Sequence, residues 1–441
     1  MADVKLVEKF FIRPAMQTDR RRIFLSNIDQ TLVTYQESVS FFGPPPTQMS
    51  FSEAVSSLYQ AIGQMLVAYD FLGGRLVPSL EDGDRLEIDC NGAGMVVVAA
   101  TIDCELSQFG DLMTPKSEFR PLVAFLHEKD EDKMDMKEKP LMLLQLTQFK
   151  CGSLALASRY NHCTMDGVAV REFETNLAAL SRGDGLVIEP KPDRTMFKAR
   201  NPPKIDHPHY EYSRPISIDS TFTVRGNSNT TAIVQQRPQN KSHLVYLPAD
   251  RIASMKKAAL KDGVLKNCSI FQVVAAKIWK ARSIAVGTPE EETCTVLFPV
   301  DVRKRVVPEA PFGFAGNALV PGFARASMSE LKGEDDSVLV RKVQEGLERL
   351  DDEYVKSGID WLEVHKGVPC GKNTFSIVAW WRLGLEEAEF AWGRAICATT
   401  ISVKPGLVIL LPEPKGEGGL NICQDLPEDQ MEEFRKLMME D

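Results

Sequence analysis

Residues 201–241, from Asn201-Pro202-Pro203 to Gln239-Asn240-Lys241, are polar, carry five prolines and show little apolar periodicity. So long a patternless stretch does not fit inside a compact domain, so it reads as a crossover between two folded units. At 441 residues the chain also exceeds the size at which one hydrophobic core keeps growing. The expectation is a domain over 1–200, a linker over 201–241 and a second domain over 242–441. Nine cysteines without a Cys-x-x-Cys pair speak against a disulfide framework and for a reducing compartment. The opening Met1-Ala2-Asp3-Val4-Lys5-Leu6-Val7-Glu8-Lys9 has charges where a signal peptide needs an apolar core. No apolar run approaches the ~18 residues of a membrane span, so a cytoplasmic protein without such a span is expected.

The net charge of −9 disfavours nucleic acid as a partner. The balance is uneven, because residues 251–305 hold eleven Lys/Arg against five Asp/Glu, or +6. From charge alone such a segment reads first as a solvated lysine-rich helix face, and it would also suit a small polyanionic ligand.

Alternation and apolar spacing place the elements. Phe10 to Phe42 reads as strands and loops ending at the breaker Gly43-Pro44-Pro45-Pro46. Ser52 is then expected to cap a helix whose Val55, Leu58, Ile62, Met65, Leu66 and Tyr69 share one face. Short strands follow near Leu86–Asp89 and 95–100, then a charged surface loop over 127–139. A hairpin fits 141–149 and 153–160, and 168–180 resumes helical spacing. In the second half, a basic helix from Ala249 and a helix from Ser269 precede strands at 293–300 and 376–382. Residues 401–411 read as a last pair of strands about Pro405-Gly406, before a closing helix capped near Asp425 and Pro427. The class is α/β with mixed sheets.

The stretch Tyr160-Asn161-His162-Cys163-Thr164-Met165-Asp166-Gly167 follows the strand-like Leu154-Ala155-Leu156-Ala157-Ser158. A histidine delivered from the end of a buried strand is held rigidly and, with an unperturbed pKa of about 6.5, can take a proton at neutral pH. The acid four residues on can sit one helical turn away and hold something fixed behind it. Gly-x-Ser-x-Gly, Walker, His-Glu-x-x-His and Gly-x-Gly-x-x-Gly patterns are absent. A metal at His162 and Asp166 would need a third ligand, and His207 and His209 lie in the proline-rich stretch, so no metal is expected. Cys163 is adjacent to the histidine and cannot face it as a nucleophile must.

At this point the chain resembles a known family. His162-x-x-x-Asp166-Gly167 is similar to the signature of the plant BAHD acyltransferases, which move an acyl group from coenzyme A to an alcohol or amine. That family carries Asp-Phe-Gly-Trp-Gly near its C-terminus; here Phe390, Trp392 and Gly393 match, while Glu389 and Ala391 depart. Val300-Asp301-Val302-Arg303-Lys304-Arg305, followed by Gly316-Asn317, looks like its central segment, and the resemblance spans nearly the whole chain. It implies two similar mixed-sheet domains of the chloramphenicol acetyltransferase-like type with the active site in a channel between them. Part of 370–395 is then expected to pack with the first domain.

The resemblance implies His162 as general base acting in a direct ternary complex. Asp166 becomes a brace of the loop, paired with Arg303 or else Arg305, and Gly167, Phe390, Trp392 and Gly393 become structural. Tyr35, Gln36 and Ser38 would line the acceptor side, and Trp380 would line the pocket unless it is plain core packing. Lys256, Lys257, Lys261 and Lys266 become candidates for the phosphates of coenzyme A, with acyl-CoA a co-substrate and no cofactor permanently bound. A monomer is expected. The segments Leu25–Gln30 and 193–205 are similar to members that pass hydroxycinnamoyl groups to ω-hydroxy fatty acids and fatty alcohols of suberin and cutin. Shikimate or quinate acceptors are alternatives, as is an amine, for which Glu37 could contribute charge. The altered Glu389/Ala391 motif leaves a binding-only role as the competing reading.

Overall fold

The computed structural model describes residues 3–46, 49–126, 134–214, 242–413 and 416–440. Most of the charged stretch 127–139 and most of the proline-rich crossover therefore lie outside the described residues. Two large sheets dominate. A seven-stranded sheet runs Val4–Ile12, Met95–Ile102, Met142–Phe149, Leu154–Asn161, Tyr35–Phe42, Gly393–Thr400 and Glu389–Phe390 in spatial order. A six-stranded sheet runs Leu319–Ser327, Thr293–Asp301, Thr374–Ala379, Leu407–Leu411, Leu420–Asp425 and Ser242–Leu247. Both are mixed: Met95–Ile102 pairs parallel with Met142–Phe149, and Thr374–Ala379 pairs parallel with both its neighbours.

Each sheet buries one face under helices. Phe51–Ala68 and Gly167–Arg182 cover the first, giving a core that includes Leu58, Ile62, Leu154, Leu156 and Phe173. Ile270–Ala285, Asp336–Glu348 and Glu428–Met439 cover the second, around Val274, Trp279, Val343 and Phe434. A third cluster joins Val39, Phe41, Ala155 and Ala157 of the first sheet to Ile409, Leu411 and Cys423 of the second. The strand Leu154–Asn161 is therefore buried along its whole length, which explains its apolar run without polar alternation.

Several local expectations are corrected. The first long helix is capped by Ser50, not Ser52: the Ser50 hydroxyl takes the Glu53 N–H while the Glu53 carboxylate takes the Ser50 N–H. The closing helix has Pro427 at its N-cap and no side-chain cap, while Asp425 ends the preceding strand. Trp380–Arg382 forms a short 3-10 turn after a strand that ends at Ala379. Residues 401–411 are not a hairpin. Gly393–Thr400 pairs with Tyr35–Phe42 in the first sheet, whereas Leu407–Leu411 belongs to the second. The part of the second half that joins the first sheet is Glu389–Phe390 and Gly393–Thr400, which takes in the end of 370–395 and continues past it. Residues 201–214 are held rather than loose. Asp360 on the helix Asp352–His365 accepts from the Arg200 and Lys204 main-chain N–H groups, and Ser357 from that of Asp206.

Candidate active site

His162 leaves the end of Leu154–Asn161 in a tight turn, in which Thr164 donates through both its main-chain N–H and its hydroxyl to the Asn161 carbonyl. The main chain of His162 is fixed on both sides. Its N–H donates to the Thr34 carbonyl (2.8 Å), and its carbonyl accepts from Asn317 Nδ2 (2.9 Å). The side chain is partly exposed, yet Nδ1 is buried without a hydrogen-bond partner among the described residues. Nε2 is thus the ring nitrogen that can meet a substrate.

Burial lowers the pKa of His162 below its ordinary 6.5, and Lys404 adds to this. The residue's own carbonyl, Asp166 and Asn317 pull the other way. The imidazole is neutral at pH 7, the state a proton acceptor requires. Lys404 reaches this place from the segment that crosses from one sheet to the other, and its Nζ donates to Thr34 Oγ1 (3.2 Å).

Asp166 is fully buried and points away from the open ring nitrogen's surroundings into a cage of donors. As N-cap of Gly167–Arg182 its Oδ1 accepts from Val168 and Ala169 N–H (3.1 and 3.0 Å). Arg303 grips both oxygens at 2.9 Å, and the Ala318 N–H donates to Oδ2 at 2.9 Å. Arg305 does not take part; it donates to the Leu347 and Leu350 carbonyls. Gly167 is closely packed: a Cβ there would meet Leu383 methyl carbons at 3.0 and 3.1 Å, so the Leu383 side chain would have to give way.

A second buried cluster, not assigned from sequence, braces the same turn. Asp29 and Arg194, both wholly buried, approach to 3.5 Å, and Arg194 Nη2 donates to the Thr164 carbonyl (2.7 Å). Asn317 Nδ2 bridges Asp29 Oδ1 (2.8 Å) and the His162 carbonyl. Burial pushes the Asp29 carboxyl above its usual range, against the pull of Arg194, Asn317 and Ser26. The readable signal was Ser26-x-x-Asp29, a capping-box pattern on a helix of only four residues, Asn27–Gln30.

The other expected site residues are dispersed. Ser38 lies on the helix-covered face of its strand, with Oγ 2.8 Å from Ser158 Oγ. Tyr35 is committed elsewhere, its hydroxyl donating to the Pro140 carbonyl and its ring lying under Arg159. Gln36 donates to Thr400 Oγ1 (3.3 Å). Trp380 packs against the core between the two sheets and does not line the cavity beside Ser38. Glu37, the acid considered for an amine acceptor, is held by Arg120 and by Arg159 (3.0 Å). Lys256 and Lys257 lie in the last turn of Ala249–Ala259 and Lys261 and Lys266 in the following loop, none with an ion-pair partner among the described residues. Phe390 and Trp392 stack at 4.9 Å beside Phe42, and Gly393 sits at φ 115°, a conformation that favours glycine. Burial raises the Cys163 thiol pKa, so it stays protonated.

A family model described as the Transferase family matches residues 2–441. The chain is 33% identical over 448 residues to the acyltransferase GLAUCE of Arabidopsis thaliana, covering 98% of this chain and 94% of that protein. It is 29% identical over 445 residues to the omega-hydroxypalmitate O-feruloyl transferase of Arabidopsis thaliana (99% and 93% covered). It is also 29% identical over 445 residues to the shikimate O-hydroxycinnamoyltransferase of Nicotiana tabacum (99% of each). Among solved structures it superposes on vinorine synthase with a TM-score of 0.75 at 20% identity, covering 98% of this chain and 96% of that one. F. graminearum TRI101, complexed with coenzyme A and T-2 mycotoxin, gives a TM-score of 0.69 at 16% identity (93% and 96% covered). Both likenesses show the two-domain, mixed-sheet α/β fold.

Proposed function

The chain belongs to the Transferase family of acyl-CoA-dependent BAHD acyltransferases, and from that premise we propose that it passes a hydroxycinnamoyl group from its coenzyme A thioester to the hydroxyl of an ω-hydroxy fatty acid or fatty alcohol. The observation that carries the reading is His162 itself, a neutral imidazole at a strand end with Nδ1 buried and Nε2 open. The relatives named for feruloyl and hydroxycinnamoyl transfer support the acyl group, and the omega-hydroxypalmitate enzyme supports the acceptor class. With Glu37 neutralised by two arginines, an amine acceptor gains no support from that residue.

His162 Nε2 takes the proton of the acceptor hydroxyl as its oxygen attacks the thioester carbonyl. The carbonyl becomes a tetrahedral oxyanion, which requires a nearby donor. Collapse of that intermediate breaks the carbon–sulfur bond, and the imidazolium returns its proton to the departing thiolate. No acyl-enzyme is formed, because both substrates are held together and the encounter becomes an oriented one. Asp166 never touches the reacting atoms; with Arg303 and Ala318 it positions the turn that presents His162. Lys256, Lys257, Lys261 and Lys266 are the residues we assign to the phosphates of the thioester, as cations without an ion-pair partner among the described residues, all exposed but for the half-buried Lys256.

Thiol release, followed with a panel of CoA thioesters and acceptors for the wild type and His162→Ala, tests the reading. The expected loss on removing the base is ~10²–10⁴-fold in kcat. Turnover insensitive to the substitution removes His162 from the mechanism, and a preference for shikimate over long-chain alcohols replaces the acceptor.

A further inference from the structure

Lys404 places a positive charge beside a base that must itself become positive. It stands in the link 401–406, which carries the chain from Gly393–Thr400 in the first sheet to Leu407–Leu411 in the second. Ile401 and Val403 of that link are buried in the core shared by the two sheets, whereas Lys404 keeps access to solvent. Its Nζ donates to Thr34 Oγ1 (3.2 Å), and the carbonyl of the same Thr34 accepts from the His162 N–H (2.8 Å). A single residue thus ties the ammonium to the base. Burial lowers the pKa of both groups, although the imidazole is partly exposed and Lys404 is exposed. Crowding by protein together with access to solvent marks two groups that line one cleft.

An ammonium in this place opposes the first step of the reaction, since it disfavours the imidazolium. The protein does not neutralise it. Glu37, the carboxylate that acts on Lys404, is itself held by Arg120 and Arg159. Asp166, which acts on His162, is enclosed by Arg303 and main-chain donors. An ammonium has three N–H donors; one goes to Thr34, and Nζ has no other partner among the described residues. A cation so placed favours catalysis where a negative charge develops in the same cleft. Attack on a thioester develops one on the carbonyl oxygen.

We propose that Lys404, held in place by Thr34, is the donor to the oxyanion of the tetrahedral intermediate. The inference rests on the direct attack assigned to His162 above and supplies the donor which that step requires. As the acceptor oxygen bonds to the carbonyl carbon, the π electron pair moves onto the carbonyl oxygen. Nζ then donates a hydrogen bond to that oxygen and keeps its proton. The pair returns when the carbon–sulfur bond breaks, the thiolate takes the imidazolium proton, and Lys404 ends as it began. Imidazolium and oxyanion form together, so the ammonium meets a pair of opposite charges and not a second cation alone.

The test follows thiol release across pH, corrected for spontaneous hydrolysis, with alcohol acceptors that do and do not carry a carboxylate. Wild type, Lys404→Met, Lys404→Arg, Thr34→Val and His162→Ala are compared, with melting temperatures alongside. Lys404→Met should lower kcat by ~10²–10³-fold, the range of one oxyanion donor, and leave KM little changed. Its acid limb should move to higher pH, since His162 loses a cation that depresses it. In the wild type, activity should fall on the alkaline side below the usual lysine value of ~10.4, because burial lowers the ammonium against the pull of Glu37. Lys404→Arg should keep much of the rate and move that limb upward, as a guanidinium stays charged. Thr34→Val keeps the main-chain bond to His162 and frees the ammonium, so its loss should lie between wild type and Lys404→Met. An unchanged kcat in Lys404→Met overturns the assignment, as does an alkaline limb that stays in place in Lys404→Arg. A loss confined to the KM of carboxylate-bearing acceptors makes Lys404 an acceptor anchor instead. Equal losses in the Met and Arg variants with lower melting temperatures make it a structural residue. A His162→Ala variant as active as wild type refutes the direct attack itself, and this assignment falls with it.

Discussion

Asp166→Ala separates a loop brace from a catalytic acid, and its cost follows from the contacts it removes. The carboxylate accepts from Val168, Ala169 and Ala318 N–H and from both Arg303 terminal nitrogens, with no exposure to solvent. Breaking a buried ion pair by removing one partner costs ~3–5 kcal/mol, and losing an N-cap costs ~1 kcal/mol. The two terms share the same oxygens and do not add fully, so a loss of about 4–5 kcal/mol is expected. Set against a typical net stability of ~5–15 kcal/mol, this removes a large share of what holds the chain folded. For a domain of this size it corresponds to a fall in melting temperature on the order of 10–20 °C. Thermal unfolding followed by circular dichroism, with thiol release on the soluble fraction, reads both effects. Asp166→Ser should recover about 1 kcal/mol through the cap while leaving Arg303 unpaired. The double variant Asp166→Ala/Arg303→Met should cost less than the sum of its parts by ~1–3 kcal/mol. An Asp166→Ala protein that melts within 2–3 °C of wild type, about 1 kcal/mol, and keeps its kcat refutes the brace, as does strict additivity in the cycle.

Three further outcomes follow from the site. Because burial holds the His162 pKa below 6.5 in the folded protein, the neutral base persists as the pH falls through 6.5 and is lost only below it. The acid limb of the kcat/KM profile should therefore lie under pH 6.5, and a limb above that value contradicts the placement of the ring. Asn317→Ala removes the amide that bridges Asp29 and the His162 carbonyl. It should cost ~1–3 kcal/mol and lower kcat more than it raises KM; a pure KM effect would place Asn317 at the substrate instead. Combined Lys→Ala substitution at 256, 257, 261 and 266 should raise the KM for the CoA thioester and weaken its salt dependence, with kcat at saturation little changed. An unchanged KM transfers the phosphates to other residues.

Where an element is decided within a few residues, the sequence carried it. The strand Leu154–Asn161 and the helix after Asp166 were readable from their apolar patterns, as was the helix starting beside Ser269. Ser52 was the wrong cap for a local reason also open to inspection, since the acid three residues on belongs to Ser50. Residues 401–411 misled because Pro405-Gly406 looks like a hairpin turn, while the strand before it had already found its partner in Tyr35–Phe42.

By itself, then, the sequence determined the α/β class, the histidine at a strand end with an acid one turn behind it, and a likeness to CoA-dependent acyltransferases that named Arg303 as a partner. Only the tertiary structure decided that the strand Gly393–Thr400 completes the first sheet. It alone showed that Asp166 meets Arg303 across 137 positions and that Asp29 meets Asn317 across 288. Caps and periodicities are settled by neighbours a turn away, so the chain displays them directly. Sheet partners and buried ion pairs are settled by which distant segments exclude water together, a competition that involves the whole molecule and leaves no local mark.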